Sequence, residues 1–206
     1  MQFAFTEEQE LLRREARSVL GVAGEGGGWA RDDVAELGFL DRAVLHEEAG
    51  KVGRGEEFFD DQGARVEQLA ALSLEAVGIA QKALDLAVDY AKTREQFGRP
   101  IGVYQAVSHA LADTYVEIEL ARSLAYWAAW CVAESDAQTE LAVAAAMAYC
   151  GDAAVAACER SIQVHGGIGF TWEHVLHHYY KRALWIQAYG GYARVHRAAI
   201  AASLLD

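Results

Sequence analysis

One proline, Pro100, stands in 206 residues. A sheet-rich or loop-rich enzyme uses proline at turns and strand edges far more often, so its scarcity points to long helices. Cysteine is nearly as scarce. Cys131, Cys150 and Cys158 are odd in number and have no paired spacing, which excludes a disulfide framework and fits a reducing compartment. Basic residues are few as well: 18 Lys and Arg against 30 Asp and Glu give a net charge of −12. A field of that sign repels phosphate backbones and anionic lipid, so neither nucleic acid nor a membrane surface is an expected partner. The opening MQFAFTEEQE carries acid where a secretory leader carries base. The most apolar stretch, 141–158, is interrupted by Asp152, and no segment is expected to span a bilayer. A cytoplasmic protein is expected. Catalytic and metal signatures are missing too: there is no Glu-x-x-His unit, no HExxH (His46-Glu47-Glu48 lacks its second histidine), no Walker loop and no nucleophile elbow. Glu173, His174, His177 and His178 crowd one segment, but they read as a solvated or interface cluster, and no metal site is expected.

What is present is apolar residue, 53% of the chain beside 23% charged, the balance of one globular domain with a short appendage. Thr6 followed by Gln9 is capping-box chemistry, and Leu11, Leu12, Ala16, Val19 and Leu20 then form a helical stripe. A glycine linker at 24–28, a short helix at 32–37 and another at 41–49, stopped by Gly50, complete an N-terminal part, residues 1–57. Residues 58–64 form a junction. From 65 to 206 the apolar spacing is strict: Leu69, Leu72, Ala76, Ile79, Ala83, Leu86 and Tyr90, then a run from Tyr104 to Val132, then Ala144 to Ile162. A glycine turn at 166–169 precedes helices at 173–188 and 192–205. Long helices joined by short turns make antiparallel neighbours, so the fold class is all-α, an up-down bundle of four to five helices. The cysteines, spaced like the alanines, read as packing.

Two loops hold more chemistry than a turn needs. One is Arg94-Glu95-Gln96-Phe97-Gly98-Arg99-Pro100-Ile101, followed by Tyr104-Gln105; the other is Gln163-Val164-His165-Gly166-Gly167-Ile168-Gly169-Phe170. Taken alone, the first is a helix C-terminus with Gly98 as cap, and the second a turn in which glycine supplies positive φ. Together they offer a guanidinium, two amides, a ring and bare backbone, the inventory that grips a pyrophosphate and stacks on a flat cofactor.

The stretch AVGIAQKALDLAVDYAKTREQFGRPIGVYQAVSHALADTYVEIELARS, with QVHGGIGFTWEH after it, resembles the C-terminal helical domain of the acyl-CoA dehydrogenases over residues 65–206. FAFTEEQELLRREARSVL resembles that family's N-terminal helix. The resemblance implies a flavoprotein that desaturates acyl-CoA at the α and β carbons: a carboxylate takes the α-proton and the β-hydride leaves to FAD. It also implies a tetramer with FAD between subunits. Arg94, Gln96 and Phe97 would then reach the pyrophosphate and adenosine side of FAD, with Gln105 nearby, and Gln163, Val164, His165, Gly166 and Gly167 would lie along the same ADP portion.

Two departures from the family pattern shape the expected function. The family sets a β-barrel between its helical halves, whereas here EEFFDDQGARVEQL joins them directly. The usual catalytic glutamate falls on Gly190, after Tyr189, and glycine takes no proton. Relatives that carry the base on the first helix of the domain place it nearest Gln68, with Glu67 beside it and Glu75 two turns on; both glutamates read first as solvated surface. The expected protein is a subunit without a catalytic residue. It completes the FAD site of a full-length partner subunit in a heterotetramer acting on an acyl-CoA, by analogy a steroid side-chain CoA. A self-sufficient enzyme using Glu67 or Glu75, and a cofactor-free helical scaffold, are the alternatives. Trp127, Trp130, Trp172, Trp185, Tyr179 and Tyr180 are expected to remain exposed on a single copy and to mark the interface.

Overall fold

The computed structural model describes residues 5–20, 34, 37–58 and 64–205. Its helices are α1 (Glu7–Leu20), α2 (Phe39–Val52), α3 (Arg65–Thr93), α4 (Gln105–Ala133), α5 (Thr139–His165), α6 (Leu176–Ala188) and α7 (Ala193–Leu205). The expected linker at 24–28, the helix at 32–37 and the junction at 58–64 lie wholly or largely outside the described residues.

The capping box forms as expected. The Gln9 amide donates to Thr6 Oγ1 (3.2 Å), and the Thr6 amide donates to Gln9 Oε1 (3.1 Å). Helices α3, α4 and α5 pack largely through the expected seams, with Leu72, Ile79, Ile118, Ala125, Val155 and Cys158 in one core; Met147 and Ala154, off the expected seam of α5, join them there. The three cysteines are buried free thiols in that core, and burial pushes Cys158 up to about 12. The segment Thr139–Phe170 is long and apolar enough to cross a membrane, but 72% of its most apolar window is buried inside the bundle, the signature of a central core helix.

Gly50 does not stop α2. The helix continues to Val52 and ends at Gly53, which adopts the left-handed conformation (φ 73°). Gly50 is a contact instead: a Cβ there would lie 2.3 Å from the Glu75 carbonyl oxygen of α3. Gly78 answers from the other side, where a Cβ would lie 2.0 Å from the Glu47 carbonyl oxygen of α2. The two helices therefore cross backbone against backbone, which only glycine permits.

The expected ring of exposed aromatics is partly wrong. Tyr179 is buried, and its hydroxyl donates to the Lys51 carbonyl (3.0 Å), tying α6 to the end of α2. Trp127, Trp130 and Tyr180 are half-buried, whereas Trp172 and Trp185 are exposed.

Candidate functional site

Helix α3 ends at Thr93, and Arg94 is already extended (ψ 121°). The following residues form a two-strand hairpin in which Glu95 pairs with Pro100 and Gln96 with Arg99. Its two-residue turn is Phe97-Gly98, with φ of 53° and 78°, the positive-φ pair that a tight hairpin of the primed type requires. Gly98 is thus a turn residue and not a helix cap. Phe97 carries a side chain in a conformation that costs about 1–3 kcal/mol, and its ring is 92% exposed. Tyr104 braces the turn: its hydroxyl donates to the Gln96 carbonyl (3.1 Å), its ring meets Phe97 edge-on, and the Arg99 guanidinium lies 4.6 Å over it. The Ile101 amide donates to the Arg94 carbonyl (2.8 Å) and closes the loop onto α4. Gln105 is the exposed first residue of that helix. An open apolar groove of about 420 Å³, lined by Val88, Ala91, Pro100, Val103 and Leu111, flanks the hairpin.

The second loop lies at the same end of the bundle, because α3 and α5 run parallel with α4 between them. The ring of Tyr90, in the last turn of α3, stacks on His165 at the end of α5 (4.5 Å between centroids). His165 is only 6% exposed and its Nδ1 donates to the Ser161 carbonyl (2.7 Å), so its ring joins two helix ends and does not project outward. Gly166–Phe170 form a short 3-10 helix that starts at φ 63°. A Cβ added at Gly98, Gly166 or Gly167 would meet nothing within 4 Å, so bare backbone faces open space in both loops. Gln163 and Gly167 are exposed, Val164 and Gly166 partly so. The predicted residues Arg94, Gln96, Phe97, Gln105 and Gln163–Gly167 thus share one end of the fold.

The structure places Gly190 at the other end, beside the start of α3. A Cβ there would lie 2.9 Å from Leu69 Cδ2 and 3.0 Å from Arg65 Nη2, at a φ of 77°. The adjacent Tyr189 hydroxyl donates to Gln68 Oε1 (3.3 Å). The two positions at which the resemblance looks for a base therefore meet, and neither holds a carboxylate.

The candidate glutamates sit elsewhere in the electrostatics. Glu67 is partly exposed and pairs with Arg42 (3.4 Å). Glu75, expected at the surface, is 2% exposed. Arg182 grips it through two bonds, Nε to Oε1 (2.6 Å) and Nη2 to Oε2 (2.9 Å). Burial holds the Glu75 carboxyl above its usual value even against that guanidinium. A second buried carboxylate, Glu47, accepts from Arg122 Nε (3.2 Å) and the Tyr126 hydroxyl (2.7 Å), with Lys51 Nζ at 3.1 Å. Burial opposes its charge, but Lys51 and Arg122 outweigh that cost and hold it below the usual carboxylate value. Beside it, Glu48 takes a two-pronged grip from Arg17 of α1. Each of these buried acids is held by a cation from another helix, and no group of three or more His, Cys, Asp or Glu able to hold a metal occurs among the described residues.

Sequence reasoning placed Tyr90 in a packing seam and Tyr104 beside the first loop without finding their bracing contacts, and it missed Arg65 and Arg182. Tyr104 followed the predicted loop closely enough to be found from its phenol. Arg65 and Arg182 act on partners more than a hundred residues away, and nothing local announces that.

Residues 68–205 match the family described as acyl-CoA dehydrogenase, C-terminal domain. The acyl-CoA dehydrogenase FadE34 of Mycobacterium tuberculosis is 52% identical over 125 residues, 59% of this chain and 17% of that protein. The butyryl-CoA dehydrogenase structure from Megasphaera elsdenii superposes with a TM-score of 0.65 at 33% identity, covering 68% of this chain and 37% of that one. The Tcur3481–Tcur3483 steroid ACAD structure does so with a TM-score of 0.63 at 34% identity, covering 68% and 38%. The chain thus spans well under half the length of these relatives. From a bundle with those seams, closed by those two loops, and a family match over two thirds of its length, the chain belongs to the acyl-CoA dehydrogenase family.

Proposed function

We propose that the chain is a non-catalytic subunit of an FAD-dependent acyl-CoA dehydrogenase, lending the ADP-side cradle for a flavin held mainly by a full-length partner. The observation that supports this most is the asymmetry between its ends. One end presents a strained, exposed Phe97, free backbone at Gly98, Gly166 and Gly167, and the Arg94 guanidinium. The other end has Gly190 where a base would stand, closed by Leu69 and Arg65. These residues fit a dinucleotide: Arg94 for the pyrophosphate, Gln96, Gln105 and Gln163 for polar edges, Phe97 for a flat ring. When bound, FAD supplies the hydride acceptor. The chain's own residues bind and orient its ADP portion and move no proton. A heterotetramer and a steroid side-chain CoA substrate belong to this reading, the latter supported by the likeness to the Tcur3481–Tcur3483 steroid ACAD.

A guanidinium fork on pyrophosphate makes charge-assisted bonds worth roughly 1.5–3 kcal/mol each. Arg94→Ala in the complex is therefore expected to weaken FAD binding about tenfold or more, and Arg94→Lys less, since lysine keeps the charge and loses the fork. The measurement is flavin absorbance retained on dilution at unchanged assembly. Full retention by Arg94→Ala would reduce Arg94 to a surface residue and remove the cofactor assignment of its loop.

Turnover is the second test. The chain alone, given excess FAD and an acyl-CoA, is expected not to reduce an electron acceptor. Gly190→Glu is expected to stay inactive and to melt earlier. Its backbone sits at φ 77°, which costs a side chain about 1–3 kcal/mol. The new carboxylate would also stand against Arg65, which holds it ionised and weakens it as a base. Dye reduction by the unaltered chain would favour the self-sufficient alternative.

A further inference from the structure

Helix α6 begins without a Ser, Thr, Asp or Asn cap; Val175 precedes it. Its first amide, that of Leu176, donates instead to Nδ1 of His174 (3.3 Å). An N–H aimed at Nδ1 leaves that nitrogen bare, so the His174 proton sits on Nε2 and the ring is neutral. The same ring lies 4.4 Å from His165, centroid to centroid. His165 in turn stacks on Tyr90 and is the last residue of α5 before the Gly166–Phe170 loop. His174 therefore sits where one cap, one stack and the loop all meet.

The groups around it leave no place for a positive charge. His165 faces it from α5, with Tyr90 of α3 behind. From α6 comes His177, whose Nε2 donates to the Trp172 carbonyl (3.1 Å) and whose Nδ1 is buried without a partner. His178 lies 3.9 Å from His177, and Lys181 Nζ stands 4.1 Å over the Trp172 ring. The one carboxylate of the segment, Glu173, is exposed to solvent, where water screens its charge. A second proton on His174 would point N–H at N–H, cancel the cap, and place a cation at the positive end of a helix dipole.

We propose that His174 is a positioning residue for the loop at 163–170: neutral, it caps α6 and braces His165 and the loop, and protonated, it releases both. The step from loop to flavin rests on the function proposed above. Burial first, then His165 and His177, holds His174 below its usual 6.5. The folded state thus prefers the neutral ring. The support is complete above 6.5 and is lost as pH falls below that value through the folded-state pKa.

The test uses the full chain. The His174 imidazole is followed by NMR, and amide exchange is followed at Leu176 and Gly166–Phe170 from pH 7.5 to 5.5, corrected for intrinsic rates. Loop protection is expected to fall towards pH 5.5 by up to roughly tenfold, the limit for one linked proton one pH unit below 6.5. His174→Asn supplies an oxygen that can accept the Leu176 amide and cannot charge; it should keep protection at pH 7.5 and abolish the pH response. Flat protection in the unaltered chain, or a pH response that survives His174→Asn, would overturn the proposal. In the complex with its partner, flavin release should follow the same profile. A loop that opens on acidification while flavin stays bound would support the latch and remove the cofactor reading instead.

Discussion

Replacing Glu75 by alanine is expected to cost about 3–5 kcal/mol, the range for stripping one partner from a buried ion pair. The pair is two-pronged, and its carboxylate is 2% exposed. Without Glu75 the Arg182 guanidinium keeps only the distant Glu56 (3.9 Å) and the Trp185 ring (4.3 Å). A chain of this size shifts its melting point by roughly 2–4 °C per kcal/mol, so a thermal melt should fall by about 10 °C. Glu67→Ala, at a partly exposed pair, should cost no more than about 1 kcal/mol. The contrast separates two roles for Glu75. A catalytic base changed to glutamine would leave the melt unchanged and abolish turnover, whereas a structural acid changes the melt.

Gly78→Ala is the second large effect. One methyl would have to enter a space in which the Glu47 carbonyl oxygen is 2.0 Å away. The neighbour is backbone, so the helices must part, and overpacking of this kind costs about 1–3 kcal/mol or more. The loss should be local. Parting α2 from α3 separates Glu47 from Arg122 and loosens α1 and α2 together, while α3 to α5 keep their shared core. Limited proteolysis should cut within residues 1–58 and leave a resistant fragment beginning near 65. Gly50→Ala should act alike, and the double variant should cost less than the sum, because both open the same crossing. Uniform unfolding of the whole chain would show that the crossing belongs to the main core.

The seams from Leu69 to Ile162 were legible because a core-facing helix writes its burial as a 3–4 residue spacing. The capping box at Thr6 was legible because both partners lie within one turn. What escaped was carried by contacts distant in sequence. Gly50 looks like a stop until α3 is seen pressing against it, and Gly98 looks like a helix cap until Phe97 is found at positive φ. Glu75 has the sequence surroundings of any helix glutamate; Arg182, 107 residues on, decides its burial. In the candidate site, the two loops could be named from their inventory, though not the hairpin that the first one forms. Their shared location depended on α3 and α5 running parallel, which the Tyr90–His165 stack displays.

Helix α3 is a single rod of 29 residues, about 43 Å at 1.5 Å per residue. The hairpin hangs from one tip and Gly190 rests near the other, farther apart than one dinucleotide can reach. No copy of this chain can offer both tips to the same flavin. If the hairpin tip holds the ADP portion of FAD as proposed, the Gly190 tip lies beyond that flavin's reach, so a lesion at the hairpin tip should change flavin retention and one at the Gly190 tip should not.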